Sequence, residues 1–120
     1  MAKQNRDVIR TNIQTLFSQV PDFSDLDNTI KGVFPDIMNK TGGYKNGWNG
    51  AVTVAPDTDP TRFTISFAGV PENECVSLAS DGGWLEVAVG STAIPRDGTA
   101  VSAASGACSG DNNTITWTSN

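Results

Sequence analysis

The sequence predicts an α+β domain, with one long N-terminal helix packed on an antiparallel sheet and one disulfide in the C-terminal half. Three observations carry that prediction. Apolar residues near the N-terminus recur with a helical period. After Gly50 the period changes to two. Two cysteines, Cys75 and Cys108, lie in the C-terminal half of a chain that has no histidine. At 120 residues the chain is one domain. A chain of that length buries roughly two thirds of its unfolded surface, enough for a single core.

The first element is a helix over residues 3–20. Ile9, Ile13, Leu16, Phe17 and Val20 fall on one stripe of it. Arg6, Arg10, Asn12 and Gln19 are assigned to the other faces. Pro21 ends the helix by disfavouring α geometry at Val20. Lys3, Gln4 and Asn5 provide no cap and look like helix already under way, so the helix is expected to begin further upstream. The stripe has two readings: core against the sheet, or a spine with a second face toward neighbouring subunits.

Residues 22–50 read as an irregular connection. Ser24 can cap a short turn through Asp25, Leu26 and Asp27, with Leu26, Ile30 and Val33 inward. Gly32 and Pro35 break it. The run Thr41-Gly42-Gly43-Tyr44-Lys45-Asn46-Gly47-Trp48-Asn49-Gly50 is dense in turn formers.

Strands follow. Val52 and Val54 alternate with Ala51 and Thr53. Pro56 to Pro60 is a turn. Phe63, Ile65 and Phe67 alternate with Thr64, Ser66 and Ala68, and Gly69-Val70-Pro71 stops that strand. Pro71, Glu72 and Glu74 suit the start of a short helix to Ser80 that carries Cys75, Val76 and Leu78. After Asp81-Gly82-Gly83, Leu85, Val87 and Val89 alternate with Trp84, Glu86 and Ala88. A Gly-, Ala-, Ser- and Thr-rich loop then runs to Ala107. The last strand, opened by Cys108, puts Ile115 and Trp117 on one face and Thr114, Thr116 and Thr118 on the other.

Two cysteines are too few for an all-cysteine zinc site, and no histidine completes a mixed one. In a small polar chain they read as one structural disulfide, which places the protein outside the reducing cytosol. Hydrophobic residues make up 38% and charged residues 18%, with a net charge of −5. That balance disfavours nucleic acid and anionic membrane surfaces as partners. No stretch is apolar enough to span a bilayer, and no signal peptide is present.

Few residues offer chemistry. Serines and threonines are plentiful, but the commonest activating base is missing and Ser-x-x-Lys does not occur. Asp57 and Asp59 could clamp a cation, but between Pro56 and Pro60 they read first as turn residues. Asp22, Asp25 and Asp27 lack calcium-loop spacing and its closing glutamate. The glycine run from Gly42 to Gly50 lacks the phosphate-loop ending. Trp48, Tyr44 or Trp84 could stack on a sugar, and Trp48 is better placed as a loop anchor. No catalytic, cofactor-binding or metal residues are expected; the site residues are the two cysteines.

Three stretches resemble type IV pilins of the type IVb subclass. Gly47 to Val54 resembles the tryptophan-glycine entry to the first strand. Phe63 to Ser80, with Gly69-Val70-Pro71-Glu72-Asn73-Glu74-Cys75, resembles the strand and cysteine-bearing helix. Ala107 to Ile115 resembles the closing strand that begins at the second cysteine. The chain is most similar to the PilS-type major pilin of enteric and conjugative thin pili. The leader site, an apolar segment of about 25 residues and its glutamate are absent, so the resemblance implies an N-terminally truncated soluble domain.

The resemblance also implies an organisation. Residues 1–120 would be one pilin globular domain, with 3–20 the C-terminal half of the spine helix. Residues 21–50 would be the αβ-loop and 51–120 the sheet. Cys75 and Cys108 would bound the so-called D-region, 75–108. The implied function is a non-enzymatic subunit of a bacterial surface fibre, serving adhesion in virulence or conjugation. Its partners would be other copies of itself in a helical filament, the pilus assembly machinery and a receptor on a host or recipient cell. The membrane would be met only through the absent segment, at the inner membrane and periplasm before assembly. Alternatives are a minor pilin, a type II secretion pseudopilin or a secreted carbohydrate-binding module.

Overall fold

A computed structural model describes residues 2–120. Helix α1 spans Ala2–Leu16. It stops short of the expected Val20, and residues 17–20 form turns instead. Pro21 has no N–H to give the Phe17 carbonyl, and Val20 N takes that carbonyl in a tighter turn at 3.3 Å. Ile9 and Ile13 are fully buried, whereas Leu16 and Val20 are exposed because the chain leaves helical geometry there. Arg6 departs most from the sequence expectation. It lies on the buried stripe, not away from it, and is 2% exposed.

The main sheet is antiparallel with strand order β3-β4-β7-β5-β6. Its strands are β3 (Val52–Pro56), β4 (Phe63–Val70), β5 (Glu86–Val89), β6 (Thr92–Ile94) and β7 (Asn113–Ser119). β4 and β7 form its centre, with Ile65 opposite Trp117 and Phe67 opposite Ile115. Alternate residues Phe63, Ile65, Phe67, Val87, Val89, Ile115 and Trp117 point into one core with Ile9 and Ile13. Phe67 and Trp117 meet edge-on, with centroids 5.2 Å apart. On the other face, Ser66 and Thr116 share a hydrogen bond of 2.8 Å.

The strand at Phe63 does not stop at Gly69. It passes through a bulge between Phe67 and Val70, where Gly69 takes φ +68°. Gly50 lies against that bulge. A Cβ on Gly50 would sit 1.8 Å from the Ala68 carbonyl oxygen, so only glycine fits.

The connection from α1 to β3 is irregular but anchored. It contains a 3-10 turn over Asp36–Met38 and a small ladder of β1 (Asn39–Lys40) with β2 (Gly43–Tyr44). Leu26, Val33, Phe34 and Met38 are buried, and Ile30 is half-buried. Phe34 stacks on Tyr44 at 4.0 Å. Asp22, not Ser24, supplies the acceptor at its first turn, taking bonds from the Ser24 N–H and hydroxyl. Asn28 covers the free edge of β3: its amide donates to the Val52 carbonyl at 2.9 Å and accepts from Val54 N at 2.7 Å. Those are the groups a further strand would need.

Two elements appear where a loop to Ala107 is expected. Gly90, at φ +59°, and Ser91 form a two-residue turn that pairs β5 with β6. Helix α3 spans Ala100–Ala107, with buried Ala100 and Ala104 one turn apart. Helix α2 spans Glu72–Ala79, as expected, and the Pro71 carbonyl accepts from Cys75 N at 2.8 Å. Cys108 does not open the last strand. It caps the C-terminal end of α3, and β7 begins only at Asn113. The expected alternation holds at Val87 and Val89, but just ahead of β5 Trp84 is buried and Leu85 exposed.

Candidate functional site: the disulfide-bounded face and its anchor

Cys75 and Cys108 form a disulfide, with Cα atoms 5.9 Å apart. Both are buried. The bond therefore joins helix α2 to the end of α3, rather than tying the sheet's last strand to its middle. Neighbouring polar bonds fix the same corner. Trp117 Nε1 donates to the Leu78 carbonyl at 3.2 Å, holding α2 against β7. Buried Asn113 donates to the Val70 carbonyl at 2.9 Å and accepts from Ser109 N at 3.0 Å. Asn113 thus bridges the bulged end of β4 and the segment after Cys108, satisfying backbone groups that no ladder reaches.

The closed segment is also tied to α1, through Asp81. Arg6 Nη2 donates to Asp81 Oδ2 at 2.6 Å, and Lys3 lies 3.8 Å from Oδ1. The Asp81 carbonyl accepts from Arg96 Nη2 at 2.6 Å. The Arg6 guanidinium carbon lies 4.9 Å from the Trp84 ring centroid and 5.0 Å from that of Trp117. Arg10, one helical turn on, lies 4.6 Å from the Trp84 ring centroid. Arg6 Nη1 has no hydrogen-bond partner. The Asp81 carboxylate and Asp7 Oδ1, which accepts from Nη2 at 3.0 Å, meet the charge, and the negative ring faces add to them. Residue type concealed this centre, although the spacing was visible: Arg6 precedes Ile9 by three and Ile13 by seven, on the same helical stripe.

The other residues singled out from sequence disperse. Asp59 accepts from Thr61 N, Asp27 from Thr29 N and Asp97 from Thr99 N, each across a local turn. Hydrogen bonds from the following Ser or Thr hold Asp22, Asp27, Asp59 and Asp97 below the ordinary carboxylate range. Among the described residues no group of three or more Cys, Asp or Glu side chains converges as metal ligands. Trp84 is buried and unavailable for stacking on a sugar. Trp48 is half-buried, in an open depression with Leu78 and Glu74, and Tyr44 is committed to Phe34.

The glycine-rich stretch also has a structural role. Buried Asn46 donates to the Ala68 carbonyl at 2.8 Å and accepts from Trp48 N and Gly50 N at 2.9 and 3.0 Å. One amide thus shapes the Gly47-Trp48-Asn49-Gly50 turn and pins it on the β4 bulge.

The description PilS N terminal belongs to the family model that matches residues 1–120. The chain belongs to the PilS pilin family. Its fold is that of a solved structure described as type IV b pilin from Salmonella typhi. The two share 22% identity over 97% of this chain and 95% of that one, with a TM-score of 0.70. Comparison with curated proteins gives no match. The α+β architecture, a long helix on an antiparallel sheet, is thus that of a type IVb pilin, and this chain closes it with the Cys75–Cys108 disulfide. No helix among the described residues of this pilin is long and apolar enough to cross a membrane.

Proposed function

We propose that this pilin polymerises into a bacterial surface fibre and presents the face bounded by Cys75 and Cys108 to host or recipient cells. The observation that carries the reading is the match of the PilS family over the whole chain. The molecule's organisation supports it. The disulfide, Trp117 and Asn113 immobilise α2 and α3, while Val101 on α3 is left 62% exposed. A fixed scaffold with an exposed apolar residue suits recognition, because little ordering entropy remains to be lost on binding. Residues 75–108 serve as the D-region, residues 21–50 as the αβ-loop and α1 as the end of the spine. The subunit passes through the inner membrane and periplasm with the assembly machinery before it reaches the fibre.

The test is immunogold labelling of fibres from cells expressing the full-length subunit with a tag in the exposed Gly82-Gly83 turn. Label along the shaft is expected. Label confined to tips assigns a minor pilin, and label confined to the cell envelope assigns a secretion pseudopilin.

A further inference from the structure

Two shallow apolar depressions of similar size flank α1. One, roughly 270 Å³, lies at its C-terminal end and is lined by Leu16, Phe17, Val20, Ile30, Asp22 and Asp25. The other, roughly 290 Å³, reaches Asn5 and is lined by Ile37, Met38, Lys40 and Lys45 with Asn46 and Gly47. The first carries two carboxylates and no base. The second carries two ammonium groups and no acid. Each exposes an aliphatic side chain, Val20 at 51% and Ile37 at 59%. Asn5 and Leu16 are about 17 Å apart along the helix at 1.5 Å per residue.

We infer that these two depressions are the halves of one contact between copies of this chain, the acidic end of one α1 seating the Ile37–Lys40–Lys45 surface of the next. This rests on the polymer reading above and names one of its interfaces. Opposite charge around the exposed Val20 and Ile37 side chains selects the complementary half and rejects a like one. Each half differs from its partner, so the contact is heterologous and leaves one half of each kind free on every pair. Such a contact propagates as a filament or a ring, not a closed two-fold dimer. Placing both halves next to α1 also makes the helix the strut between successive contacts.

The test mixes two single-cysteine variants, Val20→Cys and Ile37→Cys, and oxidises them with the Cys75–Cys108 bond verified as intact by mass. The contact predicts that the 20–37 heterodimer exceeds the two homodimers combined several-fold at low salt and loses that excess at high salt. Asp22→Lys with Asp25→Lys on the Val20→Cys chain should return the products to a statistical mixture. Adding Lys40→Glu with Lys45→Glu on the Ile37→Cys chain should restore the excess, which a merely unfolded variant would not do. Statistical products from the unswapped pair, or no recovery on double reversal, overturn the contact. If fibres still label along the shaft, the polymer reading survives that loss. If the heterodimer is enriched but no fibre labels, the polymer reading falls and the contact stands.

Discussion

Residues 17–50 and residues 75–108 are stretches of equal length held by different means. The first contains only a 3-10 turn and a two-residue ladder, and side-chain amides from several places fasten it down. Asn12 donates to the Val33 carbonyl at 3.0 Å, Asn28 bridges Val52 and Val54, and Asn46 grips Ala68. The second contains two helices and two strands, a covalent bond and the Arg6–Asp81 tie to α1. The difference teaches how each segment should fail. Amide staples contribute about 1 kcal/mol apiece and release separately. A cross-link acts on the whole unfolded ensemble and releases at once.

The largest effect should come from the cross-link. Reduction, or Cys75→Ala with Cys108→Ala, should cost about 3–4 kcal/mol on the chain-entropy account. A clear drop in Tm by calorimetry is expected. An unchanged melt after verified loss of the bond would remove the covalent side of the comparison.

The anchor of α1 comes next. Arg6→Ala should cost about 2–3 kcal/mol through lost packing and cation–π contact with Trp84 and Trp117. Arg6→Met, which keeps an apolar stem but neither the guanidinium nor its charge, should recover part of that loss in urea unfolding. Equal losses for Ala and Met would assign the stabilisation to charge alone.

Asn46→Ala leaves the Ala68 carbonyl and two N–H groups without their partner. It should cost about 1–3 kcal/mol. Its amide exchange should rise around residues 44–52 and stay unchanged in 75–108. A rise shared by both regions would show that the two are not independently held.

The smallest effect is acid. The pKa values of Asp22, Asp27, Asp59 and Asp97 are lowered in the folded state by hydrogen bonds from Ser24, Thr29, Thr61 and Thr99. A lowered folded value means their stabilisation is complete above the unfolded value near 3.8 and is lost as pH falls through the folded values. A shallow loss of Tm below that point is expected. Replacing all four by Asn keeps an acceptor that does not titrate, so the acid limb should flatten. An unchanged limb would assign it to other carboxylates.

The same comparison explains what could be read from sequence. Strands β3, β4 and β7 were legible because alternation of Val, Ile, Phe and Trp with Thr and Ser is set by one buried face. Helix α2 was legible from Pro71 and its two glutamates. Helix α3 is not, because its Ala, Ser and Gly have the composition of a loop, although alanine is the strongest helix former. Its stripe was present as Ala100, Ala104 and Cys108. The β5–β6 hairpin is signalled only by Gly90-Ser91, inside the same loop-like composition. The cysteine pair was visible, but its corner was not, since the sequence does not show which backbone groups Asn113 and Trp117 will satisfy. Arg6 was missed because a charge on an apolar stripe is ordinarily solvent-facing. Here two tryptophans far along the chain receive it.

The most direct test of how this pilin contacts its copies in a fibre is amide exchange on intact fibres compared with the free domain. Slower exchange in residues 16–30 and 37–47 is predicted on assembly, with the α3 surface around Val101 unchanged. Exchange that is the same in both states across residues 16–47 would contradict the account.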